Sequence, residues 1–375
     1  MRRKSPLTMG VNEKSEGSEA GVGTKPSARV LVESSLTIAA FLALNATLNM
    51  TNRWVLGVYG FKFPIFLTMA HLAFGFIALA PVMALPHFAN RHESTLRSHW
   101  KGIACVGAFK VANIVANNAS LVLISLSLNQ IIRSGIPIVT AFVGIMIEKT
   151  VPTGFEVLSL VILTIGVVLS IWEGSVSGST VGMSIAVAST FCGAAMLSFS
   201  GKVLKEDIDV IRLTFYTAPV SVIILVPFFL AKELQPLLAY WSQLEDGMVV
   251  AYLLLGGLNA VLYNMTHYRV IQITSSTATP VIGMIKVVGV VVLSAFLLGE
   301  SSIFTVRMVV GCTLAVLGFT MYSYASIEAR RRKNPTIYMR QPDVSEAAVR
   351  GSKAGASYDE MSSPLLRQQT GPAIV

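Results

Sequence analysis

The chain has 375 residues, of which 53% are hydrophobic and only 13% are charged, and its mean hydropathy is +0.65. Soluble globular domains carry about 25% charged residues, so this composition excludes a soluble enzyme, a disordered protein and a disulfide scaffold. It indicates a membrane protein that crosses the bilayer several times. The net charge of +9 does not indicate a nucleic-acid partner, because most basic residues fall in the tails and short loops, beside anionic lipid surfaces.

Both ends of the chain are polar. Residues 1–33 are rich in Gly, Ser, Glu and Lys and lack a hydrophobic period, which predicts a disordered tail. They contain no apolar core typical of a cleaved signal peptide, and Glu13, Glu16 and Glu19 argue against a plastid transit peptide. Residues 328–375 are predicted to form a second disordered tail, with four consecutive basic residues, 330–333, near its start.

The region between the tails, 34–327, is almost continuously apolar. A spanning helix needs about 20 apolar residues, and these runs lack the alternation of a β-barrel strand. The fold class predicted is therefore an all-α polytopic membrane protein. Charged residues, Pro and Gly divide the region into ten transmembrane helices at roughly 34–53, 64–85, 101–123, 126–147, 153–172, 179–200, 210–231, 247–268, 273–298 and 303–326.

The basic residues predict how these helices are oriented. Ten helices place both tails on the same side of the membrane. The tails hold fourteen of the 29 basic residues, the loops on their side hold eight, and the opposite loops hold four. Because Lys and Arg mark the cytoplasmic side, we expect both tails to be cytosolic.

A weak internal repeat divides the helices into two halves, about 34–172 and 179–326. Arg133 in the fourth predicted helix precedes Glu148 by fifteen residues, and Lys286 in the ninth precedes Glu300 by fourteen. Five helices per half give the halves inverted topology, a common transporter design with a central site between the repeats.

Three basic residues lie well inside predicted spans, namely Lys110, Arg133 and Lys286, and no acidic residue lies in the middle of any predicted span. A cation at mid-bilayer costs at least about 2.5–3.5 kcal/mol on the insertion scale. One such residue is explained by snorkelling or by bonds to backbone carbonyls. Three together favour a water-filled cavity whose ligand is an anion.

Polar residues at helical spacing form stripes beside these cations. Interhelical hydrogen bonding is the alternative role for such stripes, especially for the asparagines of the first helix. The stripes are Lys110, Asn113, Asn117 and Ser120; Asn129, Arg133 and Thr140; Asn259, Tyr263 and His267; and Asn45, Asn49 and Asn52 beside Arg53. The candidate substrate-binding residues are Lys110, Asn113, Asn117, Asn118, Asn129, Arg133, Tyr263, His267, Lys286, Asn49 and Arg53.

Other chemical motifs are missing from the sequence. It has no Walker loop, zinc-ligand spacing or catalytic triad, so we expect neither an enzyme nor a bound cofactor or metal. The three cysteines lie in apolar runs and imply no disulfide framework.

Three segments resemble a known family. They read LNATLNMTNRWVLG in the first predicted helix, ANNASLVLISLSLNQIIRSGIPIVTAFVG in the third and fourth, and SSTATPVIGMIKVVGVVVLSAFLLGE in the ninth. They are similar to motifs of the triose-phosphate translocator and nucleotide-sugar transporter branch of the drug/metabolite transporter superfamily. The resemblance covers about residues 36–327.

The resemblance implies roles for particular residues. Arg133, Lys286 and Tyr263 match the residues that bind the phosphate end of the substrate in phosphate translocators. Those translocators place an arginine after the lysine, where this chain has Val287, so one phosphate-binding cation is missing. The motifs of GDP-mannose carriers are also absent.

We therefore expect an antiporter of Golgi or endoplasmic reticulum membranes that exchanges a nucleotide sugar for a nucleoside monophosphate by alternating access. Its partners would be an anionic phosphorylated sugar, a counter-exchanged phosphate compound and the lipid bilayer, with a homodimer as a possible assembly. A sugar-phosphate or phosphoenolpyruvate/phosphate exchanger is the first alternative. A non-transporting membrane scaffold and a polytopic membrane enzyme are the others.

Overall fold

The computed structural model describes residues 28–124, 126–172, 179–206, 208–242, 247–285 and 306–333. These residues are nearly all helical and include no β-strand. The helices are α1 (Ala28–Arg53), α2 (Pro64–Met83), α3 (Pro86–Ala89), α4 (His92–Leu123), α5 (Leu126–Arg133), α6 (Ile136–Ile147), α7 (Gly154–Ile171), α8 (Thr180–Lys205), α9 (Val210–Lys232), α10 (Leu234–Ser242), α11 (Met248–Ile273), α12 (described over 278–285) and α13 (Val306–Lys333). A π-helical segment, Trp54–Val58, directly continues α1.

Eight segments of the described residues are long and apolar enough to cross a membrane, which confirms the expected helical membrane protein. They are α2, α4, the stretch Leu128–Ile147 that contains most of α5 and all of α6, α7, α8, α9, α11 and the part of α13 up to Ala329. The predicted first span coincides with α1, which is not one of the eight. The predicted ninth span, 273–298, lies partly outside the described residues. The count of ten and the inverted halves therefore stay predictions.

The helices differ in extent from the predicted spans. The predicted third span starts at 101, whereas α4 already begins at His92. Helix α1 begins at Ala28, within the predicted first tail. Hydropathy detects only the apolar part of a helix, whereas the backbone hydrogen bonds continue into its polar turns. The short helices α3 and α10 were not predicted at all.

The predicted fourth span is interrupted. Helix α5 ends at Arg133 and α6 begins at Ile136, with a turn at Ser134 and Gly135 between them. Pro137 explains the break, since it has no N–H to donate to the carbonyl four residues earlier and is favoured in the first turn of a helix. The break places Arg133 at a helix C-terminus within a membrane span.

Small residues let the helices approach closely. Helix α4 packs against α8 and α9, and α11 packs against α1 and α2. A Cβ at Gly107 of α4 would lie 2.8 Å from a side-chain carbon of Val220 and 3.3 Å from the carbonyl oxygen of Thr217, both on α9. Between α7 and α13 a Cβ at Gly166 would lie 2.7 Å from the Cα of Ala315. Such small-residue contacts are typical of membrane helix interfaces.

Two buried carboxylates join helix ends. Glu233, which follows α9, is 7% exposed and accepts hydrogen bonds from the backbone N–H groups of Ile65 (2.9 Å) and Phe66 (2.7 Å) at the start of α2. Glu148, which follows α6, forms an ion pair with Lys205 of α8 at 2.7 Å and accepts a hydrogen bond from Ser276. Both carboxylates lie at the ends of spans, where a charge costs less than at the bilayer centre.

Candidate functional site: a cationic centre between α4, α5 and α11

Arg133 lies at the C-terminus of α5 and contacts α4 and α8. Its Nη1 is 3.2 Å from Asn113 Oδ1, 3.0 Å from Asn117 Oδ1 and 3.2 Å from Ser189 Oγ. All three acceptors are neutral, and Arg133 takes part in none of the ion pairs among the described residues. An arginine stays protonated in proteins. Arg133 therefore carries a positive charge for which the described part of the chain provides no counter-ion.

The environment of Arg133 is ordered by its acceptors. Asn113 and Asn117 lie one turn apart on the same face of α4, as their spacing predicts. Ser189 Oγ lies 3.0 Å from both the backbone oxygen and Oδ1 of Asn113, which fixes the amide toward Arg133. The negative end of the α5 dipole also favours a cation at this position. These contacts preorganise the guanidinium before any ligand binds.

The guanidinium of Arg133 has N–H donors that make no hydrogen bond to the described residues. Within the described residues its Nη2 and Nε make no hydrogen bond, so up to three N–H groups remain for a ligand. Planar, paired N–H groups fit the oxygen atoms of a phosphate or a carboxylate, which accept two parallel hydrogen bonds. The geometry is therefore suited to an oxyanion.

Lys110 provides a second cation on α4. Its Nζ donates to Asn264 Oδ1 on α11 at 2.8 Å, and it takes part in no ion pair within the ranges given above. Lys110 also lines a narrow, partly open cleft. The cleft is lined by His71, Leu72, Gly75, Lys110, Thr214, Ala218, Val261 and Asn264.

Helices α1 and α11 form an aromatic and amide wall beside these cations. Asn45 Nδ2 donates to Tyr263 Oη at 3.2 Å, and Asn49 Nδ2 donates to Asn45 Oδ1 at 2.7 Å. The ring of Phe41 stacks on Tyr263 and on His267 at centroid distances of 5.9 Å and 5.4 Å. Part of each polar stripe on these helices thus serves helix packing, as the alternative role for such stripes implies.

The wall and the cations face a common region. Tyr263 lies within electrostatic range of Arg133, and His267 lies within electrostatic range of Lys110. The structure therefore brings together six of the candidate residues that sequence periodicity selected. They are Lys110, Asn113, Asn117, Arg133, Tyr263 and His267.

Other candidates lie elsewhere. Asn129 is 1% exposed and donates through Nδ2 to Ser120 Oγ at 2.7 Å, so it joins α5 to α4. Asn118 is exposed and makes no hydrogen bond among those described. Neither contacts Arg133. Asn49 is also exposed, and it reaches Tyr263 only through Asn45.

Two candidates cannot be placed in the site. Arg53 is the last residue of α1, but its side chain lies outside what the structure describes. Lys286 lies outside the described residues altogether, immediately after the last described residue of α12. The roles that the sequence assigns to Arg53 and Lys286 remain predictions.

Sequence analysis missed several residues of this region. Ser189 lies in a run of small residues on α8 that has no charged neighbour, and Asn264 directly follows Tyr263 but stands on a different face from the stripe. Thr214 lines the cleft from α9. Each of these residues approaches Lys110 or Arg133 from a helix distant in the sequence, so periodicity along one helix gives no signal for it.

The membrane helices and the cationic centre agree with comparisons to known proteins. Residues 32–323 match the model of the Triose-phosphate Transporter family. The chain belongs to this family. The match covers most of the membrane region and all described parts of the cationic centre.

Two relatives of this Triose-phosphate Transporter family member come from Arabidopsis thaliana. One is a probable sugar phosphate/phosphate translocator, 28% identical over 307 residues that cover 79% of this chain and 96% of the relative. Another is named UDP-uronic acid transporter 1. It is 27% identical over 304 residues, which cover 80% of this chain and 96% of the relative. Both relatives are transporters rather than enzymes.

A solved crystal structure has the same fold. It aligns with a TM-score of 0.59 and 12% sequence identity, over 80% of this chain and 99% of its own. At this identity the likeness concerns the fold alone. The family member described here is thus a multi-pass membrane protein whose relatives carry phosphorylated sugars or nucleotide sugars.

Proposed function

We propose that this protein is an antiporter that exchanges a nucleotide sugar for a nucleoside monophosphate. The observation that carries the proposal is Arg133, a cation within a membrane span. Among the described residues it is held by neutral acceptors alone and retains donors without a partner. Placing such a charge in the membrane costs free energy, and a bound phosphate offsets that cost. One cavity opens alternately to each side of the membrane, as in other transporters built from repeats.

Lys286 completes the phosphate site in this proposal. The support is the sequence repeat, which places Arg133 and Lys286 at similar positions in the two halves. A phosphate bound by one cation from each half draws the halves together. Binding of either substrate then favours closure, whereas an empty site with two unneutralised cations resists it, which couples the two directions of exchange.

Two observations favour a nucleotide sugar over a smaller phosphate compound. Val287 replaces a phosphate-binding arginine, and a relative is named as a UDP-uronic acid transporter. A sugar-phosphate/phosphate exchanger is the second candidate, and the names of other relatives favour it.

The site of action follows from the same proposal. We place the protein in Golgi or endoplasmic reticulum membranes, with ten spans and both termini cytosolic. The 22-to-4 distribution of basic residues between the two sides supports this orientation. Protease treatment of sealed microsomes should remove epitope tags from both ends, and protection of either tag would rule out an even number of spans with cytosolic tails.

Exchange in proteoliposomes tests the transport reaction. The purified full-length protein is reconstituted with an internal nucleoside monophosphate, and uptake of labelled nucleotide sugars and sugar phosphates is compared. We expect a nucleotide sugar to enter only when the matching monophosphate is inside. Rapid uptake of sugar phosphates against inorganic phosphate, with no nucleotide-sugar uptake, would replace this function by the second candidate.

A further inference from the structure

Lys110 lies apart from Arg133 along the same wall of the site. It precedes Asn113 by three residues and Asn117 by seven on α4. At 1.5 Å per residue, its Cα lies about 4.5 Å and about 10.5 Å along the helix axis from these two contacts of Arg133. Among the described residues the two cations have different hydrogen-bonding partners: Lys110 donates to α11, whereas Arg133 donates to α4 and α8.

The cleft beside Lys110 contains unsatisfied polar groups. His71 of α2 is only 8% exposed, and its Nε2 has no hydrogen-bond partner within the described part of the chain. Lys110 has three N–H donors, of which the described structure uses one, toward Asn264. Buried polar groups in proteins are normally hydrogen-bonded. The cleft is thus lined by a cation with spare N–H donors and by a buried histidine whose Nε2 lies close to Gly256 of α11.

We infer that the cleft formed by Lys110, His71, Asn264 and Thr214 is a second oxyanion subsite. It binds a carboxylate or a further phosphate that the transported molecule carries in addition to the phosphate bound by Arg133. The inference rests on the proposed function, because both anionic groups belong to one substrate. The subsite makes the protein select substrates with two anionic groups over otherwise identical substrates with one.

Helix packing is the competing explanation for Lys110. If its bond to Asn264 mainly joined α4 to α11, removing the amine would lower thermal stability and weaken all substrates alike. A cation without a counter-ion instead costs stability inside a protein. We therefore expect Lys110→Gln to retain or raise the melting temperature of the substrate-free protein.

Matched substrates test the subsite directly. One pair is UDP-glucuronic acid and UDP-glucose, which differ only by a carboxylate against a hydroxymethyl group; the other is UDP and UMP. If the exchange experiment shows that the protein transports nucleotides of another base, the same pairs are used with that base in place of uracil. We expect the wild type to prefer the more anionic member of one pair by about tenfold, in line with a charge-assisted hydrogen bond. Lys110→Gln should abolish that preference and leave the affinity of the less anionic member within about threefold.

The responding pair identifies the anionic group as a carboxylate or a phosphate. Both measurements are made by competition in proteoliposomes and by ligand-induced thermal stabilisation in detergent, with His71→Ala as the second variant. A preference that persists in both variants, or a wild type without preference in either pair, overturns the subsite. Binding with the expected preference but without exchange would instead refute the transport proposal and retain the subsite.

Discussion

Arg133 and Arg212 are both withdrawn from water, but their surroundings differ. Arg212 is 4% exposed near the start of α9, where Nε lies 3.3 Å from Asp209 Oδ2 and the guanidinium carbon lies 5.4 Å from the ring centroid of Phe88. Arg133 lies within a span, and its hydrogen bonds within the described part of the chain go to two amides and a hydroxyl. Arg212, which has a structural role, is thus paired with the carboxylate of Asp209. Arg133 instead has polar neighbours that orient its charge without cancelling it.

The acidic residues follow the same division. Glu148 is almost completely buried, with 1% of its side chain exposed, and it is paired with Lys205 at the ends of α6 and α8. Pairing at the helix ends neutralises charges that serve the architecture. Within the described spans, Lys110 and Arg133 form no ion pair and can bind an anionic ligand. Substitutions test this contrast between paired and unpaired charges.

The largest effect is expected at Arg133. Removing one partner of a buried charged contact costs about 2–5 kcal/mol, so Arg133→Ala should weaken substrate binding roughly 30-fold or more. Arg133→Lys should recover part of the loss, because it keeps the charge but not the paired donors. Competition binding and exchange rates measure both, at equal amounts of folded protein.

Arg212→Ala is the matched control for Arg133→Ala. We expect it to lower the melting temperature, because it removes a buried side chain and its cation–π contact, worth about 0.5–2 kcal/mol. Exchange per folded molecule should stay within about twofold. If Arg133→Ala is the less stable variant, or if Arg212→Ala abolishes exchange in the folded protein, the division between the two arginines is wrong.

A smaller effect is expected at Asn117. Its Oδ1 is one of three acceptors on Arg133, and a hydrogen bond to a charged group contributes about 1.5–3 kcal/mol. Since two acceptors remain, Asn117→Ala should weaken substrate binding by about tenfold, at the lower end of that range. The measurement is the same competition assay.

The neighbouring Asn118→Ala variant provides the control and the smallest expected effect. Asn118 is exposed on another face of α4 and makes none of the described hydrogen bonds of Lys110 and Arg133. Its substitution should change binding by less than about twofold. Equal losses for Asn117→Ala and Asn118→Ala would mean that Asn117 does not act through Arg133.

Much of the cationic centre could be predicted because helix periodicity places residues on one face. The spacing of Lys110, Asn113 and Asn117 was sufficient to predict a stripe, and the structure directs that stripe to Arg133 and Asn264. The contribution of Asn264 could not be predicted, because it depends on how α11 packs against α4. Sequence spacing within one helix contains no information about such packing.

The turn after Arg133 was missed for a different reason. Hydropathy averages over about 20 residues, and Ser134 and Gly135 barely change that average. Pro137 was the local signal for a break, but the apolar run suggested one continuous helix. Asn129 has the helical spacing of a cavity residue, but its amide is buried against Ser120. This contact joins α5 to α4, and spacing along one helix does not reveal it.

Glu233 has a consequence for the biogenesis of the protein. The first N–H groups of α2 are satisfied by a carboxylate about 170 residues later in the chain. While the chain is being synthesised, α2 is therefore inserted with those donors dependent on water or lipid headgroups until α9 has emerged and packed against it. Completion of one of the earliest helices thus depends on the arrival of a late one.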